Sequence, residues 1–225
     1  AHESGHSMHT FLANQQQPFP TSDYPIFVAE VASTLNENLL LHHMLGLTKD
    51  RDTRLFLLGS ALDGLRTTLF RQTLFAEFEL KVHEMGEKGE PITGERLSQL
   101  YLELARTYYG HDAGVCTVKD LYGVEWAYIP HFYYDFYVYQ YATSITASSQ
   151  IAANMRAEAA LKGRKATAKS RDAYLKMLSA GGSKYPIELL KDAGVDMTTS
   201  VPFNAAIREM NLIMDEMEKL LAAKK

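Results

Sequence analysis

The chain has 225 residues, 46% of them hydrophobic and 22% charged, with a formal net charge of −4. That suits one domain or lobe with a sizeable core, gives no reason to expect nucleic acid or an anionic membrane as partner, and leaves no apolar run near the roughly 20 residues that cross a bilayer. The single cysteine, Cys116, has no partner for an internal disulfide, so a reducing compartment, the cytoplasm, is expected and no catalytic role is assigned to the thiol.

The first predicted element is a helix over about residues 2 to 14, opening on His2-Glu3-Ser4-Gly5-His6. Pro18, Pro20, Thr21, Ser22, Asp23 and Pro25 break it. A second helix follows over about 24 to 46, with Leu35, Leu39, Leu40 and Leu41 marking its apolar face. A third, long helix starts after Asp50 and runs through Leu55, Leu58, Leu62, Leu65, Leu69, Leu74 and Phe78 to about Met85. Gly86 to Pro91 forms a polar loop. Thr93 and Glu95 open another helix that ends near Tyr109-Gly110. From His111 to Pro130 the chain is irregular, with Gly114, Gly123 and Pro130 as breakers. A helix over about 132 to 162 ends at Gly163, one over about 167 to 179 is stopped by Gly181-Gly182, and an amphipathic helix over about 203 to 222 closes the sequence. The Ala-, Lys- and Arg-rich stretch from Ala152 to Lys169 reads as a solvated helix face. No internal repeat is visible, and the reading is all-α, a single helical lobe over residues 1–225.

The opening motif carries the chemistry. Residues four apart share a helix face, so His2 and His6 can offer two imidazoles to one ion. The pattern H-E-x-x-H is that of zinc peptidases, in which zinc brings the pKa of a bound water to about 7 and a neighbouring carboxylate, here Glu3, takes its proton. Such sites use a carboxylate as third ligand. Glu30 is suited to that place, because it sits in the otherwise apolar segment Phe27-Val28-Ala29-Glu30-Val31-Ala32 of the second helix. Glu37 lies seven residues on, shares the face of Glu30, and can orient a ligand histidine from behind. His9, His42, His43, His83 and His111 show no partner spacing and read as structural or surface residues.

Taken together, His2 to His9, Asp23-Tyr24, Phe27 to Thr34 and Asn36-Glu37 resemble the oligoendopeptidase F family of the thimet oligopeptidase group. So do Ile129-Pro130-His131-Phe132-Tyr133-Tyr134-Asp135-Phe136-Tyr137-Val138-Tyr139-Gln140-Tyr141 and, later, Gly181-Gly182-Ser183, Tyr185-Pro186 and Leu189 to Asp196. The resemblance runs from residue 2 to near the end. It implies a zincin-type helical catalytic lobe holding one Zn²⁺ on His2, His6 and Glu30, with Glu3 as general base and oligopeptides as substrate. Relatives in the wider group stabilise the developing oxyanion with a His and a Tyr from a segment corresponding to 131–141. His131 is the first candidate here, Tyr137 and Tyr139 the next, and Tyr134 the outsider, with a shorter spacing after His131. Phe132 and Phe136 read as core. Family members are several hundred residues long and carry the zinc motif deep in the chain. The expectation is therefore a C-terminal catalytic portion whose cleft is completed by a missing N-terminal half. The alternative expectation is a zinc-binding helical module, inactive alone, that partners that half.

Overall fold

The computed structural model describes residues 1–161 and 167–222, and every regular element among them is helical. Helix α1 (His2–Gln16) stops ahead of Pro18, which drives the residue before it into extended backbone; Gln17 has φ −108° and ψ 143°. One short turn, α2 (Phe19–Ser22), leads to Pro25, and α3 (Ile26–Leu47) begins directly behind that proline. Asp50 leads into α4 (Arg51–Leu65) by accepting hydrogen bonds from the Thr53 amide at 2.8 Å and hydroxyl at 2.6 Å. A π-helical segment, Arg66–Phe70, precedes α5 (Arg71–Glu87). Helix α6 (Gly94–Tyr108) is capped by Thr93, whose hydroxyl accepts from Arg96 N. Two 3-10 segments, Asp120–Tyr128 and Pro130–Tyr133, come before α7 (Tyr139–Ala159). Then follow α8 (Lys169–Leu178), α9 (Pro186–Asp192) and α10 (Val201–Ala222).

The stretch expected to be irregular, 111–130, contains the 3-10 segment Asp120–Tyr128, and other expectations are also corrected. The long helix after Asp50 is interrupted by the π segment. The helix expected from 132 starts only at Tyr139, because Asp135 and Phe136 have φ of 49° and 60°, a conformation no α-helix passes through. It ends at Ala159; the expected stop at Gly163 lies outside the described residues. The turn after Gly181-Gly182 contains a helix of its own, α9, which Pro186 starts. In addition, Ala152 is fully buried, so the solvated face expected from Ala152 to Lys169 begins later in the chain.

The chain folds into two compact units, one made of Ala1–Leu65 with Thr143–Lys225 and the other of Arg66–Ala142. In the first unit, α3 presents Val28, Val31, Ala32 and Leu35, three and four residues apart. They pack on Ala147 and Ile151 of α7, on Tyr174, Met177 and Leu178 of α8, and on Leu189 and Leu190 of α9. Each large apolar side chain buried in this way contributes about 1.5–3 kcal/mol, so α3 is pinned over the stretch that carries Glu30. The apolar face lies one turn earlier than the leucine spacing suggests, since Leu39 and Leu40 are 38% and 44% exposed. Leu58, Leu65 and Ile213 form a second cluster that joins α4 to α10. Gly181, at φ 50°, approaches Thr21 O so closely that a Cβ there would lie 2.2 Å from it; with the Gly182 N–H bond to Thr21 O at 2.9 Å, this ties the α8–α9 turn to the segment between α1 and α3.

In the second unit, Leu74, Phe75 and Phe78 of α5 pack against Tyr101, Leu104 and Ala105 of α6, with Val118, Ile129 and Val138 closing the cluster. Buried Tyr101 donates to Glu125 Oε2 at 2.6 Å, and Glu125 also pairs with Arg71. Burial and that bond push the Tyr101 phenol far above its ordinary pKa.

Candidate metal centre

Helices α1 and α3 meet at Gly5. A Cβ on Gly5 would lie 2.5 Å from Ala32 O and 2.6 Å from Ser33 Cα. The two backbones can approach this closely only because residue 5 has no side chain. That approach sets Glu30 opposite the turn of α1 that carries His2 and His6.

Three donor atoms converge there. His2 Nε2 and His6 Nε2 are 3.3 Å apart, and Glu30 Oε2 is 3.3 Å from the first and 3.5 Å from the second. Among the described residues these three form the one group of metal-capable side chains whose donors all lie within 4.8 Å of one another. A tetrahedral site with bonds of about 2.0–2.2 Å has donor atoms about 3.3–3.6 Å apart. The observed triangle has that edge length, and its two imidazoles and one carboxylate are a donor set that zinc accepts.

The surroundings prepare these donors. Glu37 Oε1 lies 3.1 Å from His2 Nδ1. A carboxylate there holds the proton on Nδ1 and leaves Nε2 as the lone-pair donor. Glu30 is only 8% exposed, and a carboxylate so placed needs polar partners. Ser33 Oγ donates to Glu30 Oε2 at 2.8 Å. The Thr34 hydroxyl, with one proton to give, lies 2.6 Å from the backbone oxygen of Glu30 and 2.9 Å from Ser148 Oγ of α7. Glu3 is exposed, in the first turn of α1 beside His2. One turn further along α1, His9 is 1% exposed and stacked on Tyr24, with ring centroids 3.6 Å apart and planes 6° apart. Burial, with His6 nearby, pushes its pKa down to about 4, so it packs as a neutral ring between α1 and the approach to α3.

The other sequence candidates belong to the second unit. Around His131 stand Tyr137 at 5.5 Å, Tyr141 at 5.9 Å and Tyr134 at 6.0 Å between ring centroids. Tyr137 and Tyr141 also meet edge to face at 5.5 Å. The Tyr141 hydroxyl lies 3.5 Å from His131 Nε2, while Tyr139 opens α7 and is 38% exposed. Phe132 packs on Phe75 and Phe78, whereas Phe136, expected in the core, is 36% exposed and lies against His83 at 4.3 Å. Of the remaining histidines, His111 Nδ1 accepts from Val118 N and His42 Nε2 lies 3.2 Å from Glu209.

Sequence reasoning missed Gly5, Ser33 and Tyr141. Gly5 was visible only as the filler of the motif. Ser33 stands one helical turn beyond Glu30, and Tyr141 one turn beyond Tyr137; both spacings were available.

The pattern of peptidase family M3 matches residues 1–209. The chain belongs to peptidase family M3. This M3 chain is 46% identical over 220 residues to oligopeptidase PepF of Bacillus subtilis, a match covering 98% of the chain and 31% of that protein. It is 43% identical over 223 residues to group B oligopeptidase PepB of Streptococcus agalactiae, covering 98% and 35%. Among solved structures it is similar to a putative peptidase from Chlamydophila abortus, with a TM-score of 0.83 at 41% identity over 97% of this chain and 35% of that one. It is also similar to oligoendopeptidase-F from Enterococcus faecium, with a TM-score of 0.78 at 39% identity over 98% and 38%. The M3 chain thus spans about a third of the length of the curated relatives it matches. None of its described helices is long and apolar enough to cross a membrane.

Proposed function

We propose that this chain carries the metal centre of a zinc endopeptidase that cleaves internal bonds of oligopeptides in the cytoplasm. The observation that carries the reading is the triangle His2–His6–Glu30, whose edges of 3.3, 3.3 and 3.5 Å suit one tetrahedral ion. Bound Zn²⁺ supplies Lewis acidity, polarising a scissile carbonyl and acidifying a water. His2, held through Nδ1 by Glu37, and Glu30, held by Ser33, keep their donor atoms aimed at the ion. Glu3 takes the proton of the attacking water and returns it to the leaving amine. His131 and Tyr137 or Tyr139 donate hydrogen bonds to the oxygen on which negative charge develops. Their part in the reading rests on the family resemblance and on their donor chemistry. The relatives' names, oligopeptidase and oligoendopeptidase F, support short peptides as the substrate class.

Because the chain spans a third of its relatives, the second reading also stands: a zinc-binding helical module, inactive alone, that partners the rest of the M3 polypeptide. In this reading the rest of the polypeptide completes the cleft, which would hold the substrate and exclude water. The test is kcat/KM on an internally quenched peptide, for the chain alone and with the preceding family segment supplied in trans or in cis. Turnover by the chain alone that is lost in Glu3→Gln with zinc retained supports the enzyme reading, and turnover that appears only with the segment supports the module. Glu3→Gln turnover within about tenfold of the parent would show that another group is the base.

A further inference from the structure

Glu79 is a carboxylate where the fold gives it little reason to be. It lies on α5 and is 3% exposed. It lines a mainly apolar pocket with Phe78, Val82, Leu97, Trp126 and Phe132, to which His83 and Tyr133 also contribute, beside the aromatic core of the second unit. Burial raises its pKa, opposed by the bond it accepts from the Phe136 amide and by His83. A carboxylate in such surroundings is unfavourable unless it is hydrogen-bonded. Its partner is the backbone: Phe136 N donates to Glu79 Oε1 at 2.9 Å.

That amide sits at the one place in the 131–141 segment that needs holding. Asp135 and Phe136 are consecutive non-glycine residues with φ of 49° and 60°, and among the described residues they are the two that are not glycine and have positive φ. Such backbone persists only where its surroundings over-determine it. The reversal lies between His131 and Tyr134 on one side and Tyr137 and Tyr141 on the other, so the ring cluster closes around His131 only while the reversal is kept. The ring of His83, one helical turn after Glu79 on α5, lies against the Phe136 ring at 4.3 Å and braces the same residue.

We propose that Glu79 is the positioning residue of the 131–141 donor segment: its carboxylate latches the left-handed Asp135–Phe136 reversal through the Phe136 amide and so fixes where His131 and Tyr137 point. The proposal rests on the reading of that segment as the source of transition-state donors. It differs from a merely structural role because the acceptor oxygen, and not the bulk or charge of residue 79, is what matters.

Two variants separate these roles. Glu79→Gln keeps an acceptor oxygen at the same place; Glu79→Met keeps the bulk, removes the acceptor and suits the apolar wall. Amide hydrogen exchange of the 225-residue chain is followed by mass spectrometry for peptides spanning 131–138 and for α5 and α6. In Glu79→Met the Phe136 amide should exchange about tenfold faster, the loss of one buried hydrogen bond, with α5 and α6 protected as in the parent; Glu79→Gln should stay within about threefold of the parent. In the active M3 polypeptide, Glu79→Met should lower kcat toward the level of His131→Ala with KM little changed, and Glu79→Gln should restore it. Parent-like exchange at Phe136 in Glu79→Met, or equal exchange in the two variants, overturns the latch. If exchange behaves as stated while Glu79→Met and His131→Ala both keep full kcat, the latch stands as the loop's anchor and the donor reading of 131–141 fails.

Discussion

Gly5→Ala tests how the centre is assembled. The added Cβ would lie 2.5 Å from Ala32 O, 0.9 Å short of the 3.4 Å at which ordinary contact begins, and 2.7 Å from Ala32 C. Its neighbours are backbone atoms of a buried stretch of α3, so no side chain can swing away. Either α1 and α3 separate by most of that shortfall or the overlap is borne as strain. Overpacking of this kind costs about 1–3 kcal/mol, against a gain of about 1 kcal/mol for replacing glycine by alanine inside a helix. Separation would carry the Glu30 oxygen from 3.3 and 3.5 Å to beyond about 4 Å from the two imidazoles, while a metal site tolerates about 0.2 Å in its bonds. Zinc affinity should therefore fall by at least the roughly 10- to 100-fold seen when supporting residues of a metal site are lost. The assays are competition with a chromophoric chelator for affinity and urea unfolding of the metal-free chain for stability. A variant about 1 kcal/mol more stable than the parent, as an unhindered helical position would give, with zinc affinity within about twofold, would refute the close crossing.

Two further predictions follow from the packing and the ring cluster. His9 is held neutral by burial, at a pKa of about 4 against 6.5 unfolded. The unfolded chain therefore binds the extra proton between those values, and the His9 contribution to stability is complete above about pH 6.5 and fades toward pH 4, by on the order of 3 kcal/mol in all. Urea unfolding of the metal-free chain at pH 7, 5.5 and 4.5 should show a shallower fall for His9→Phe than for the parent; equal slopes would mean that His9 titrates normally. In the active M3 polypeptide, His131→Ala, Tyr137→Phe and Tyr139→Phe are each expected to lower kcat by roughly 10²–10³ if the lost group is an oxyanion donor, and full kcat in all three would make the 131–141 segment packing alone.

The sequence carried different parts of this account unequally. The convergence of His2, His6 and Glu30 was legible because a helix fixes the spacing of four and an apolar stretch isolates one carboxylate. The closeness of the α1–α3 crossing was not, since nothing local says that Gly5 will lie against Ala32 and Ser33; that contact is made by packing between elements. Helices α1, α3 and α6, bounded by Pro18, Pro25 and the Thr93 cap, lie within a few residues of their expected limits, whereas the proline-started α9 was not foreseen. The 131–138 stretch imitates a helix in sequence because Phe132 and Phe136 have helical spacing. The residues that turn the backbone left-handed there are Asp135 and Phe136, and Phe136 is held by a partner 57 positions away. The family resemblance points to Tyr139; in the structure Tyr137 and Tyr141 are the rings at 5.5 and 5.9 Å from His131.

The most direct test of the central claim is zinc stoichiometry. Native mass spectrometry or elemental analysis of the purified chain should find one zinc per chain, retained in Glu3→Gln and lost in His2→Ala, His6→Ala and Glu30→Ala, each variant keeping its helical content by circular dichroism. Stoichiometric zinc that survives all three ligand substitutions, or a folded parent that binds none under zinc-replete conditions, would contradict the account.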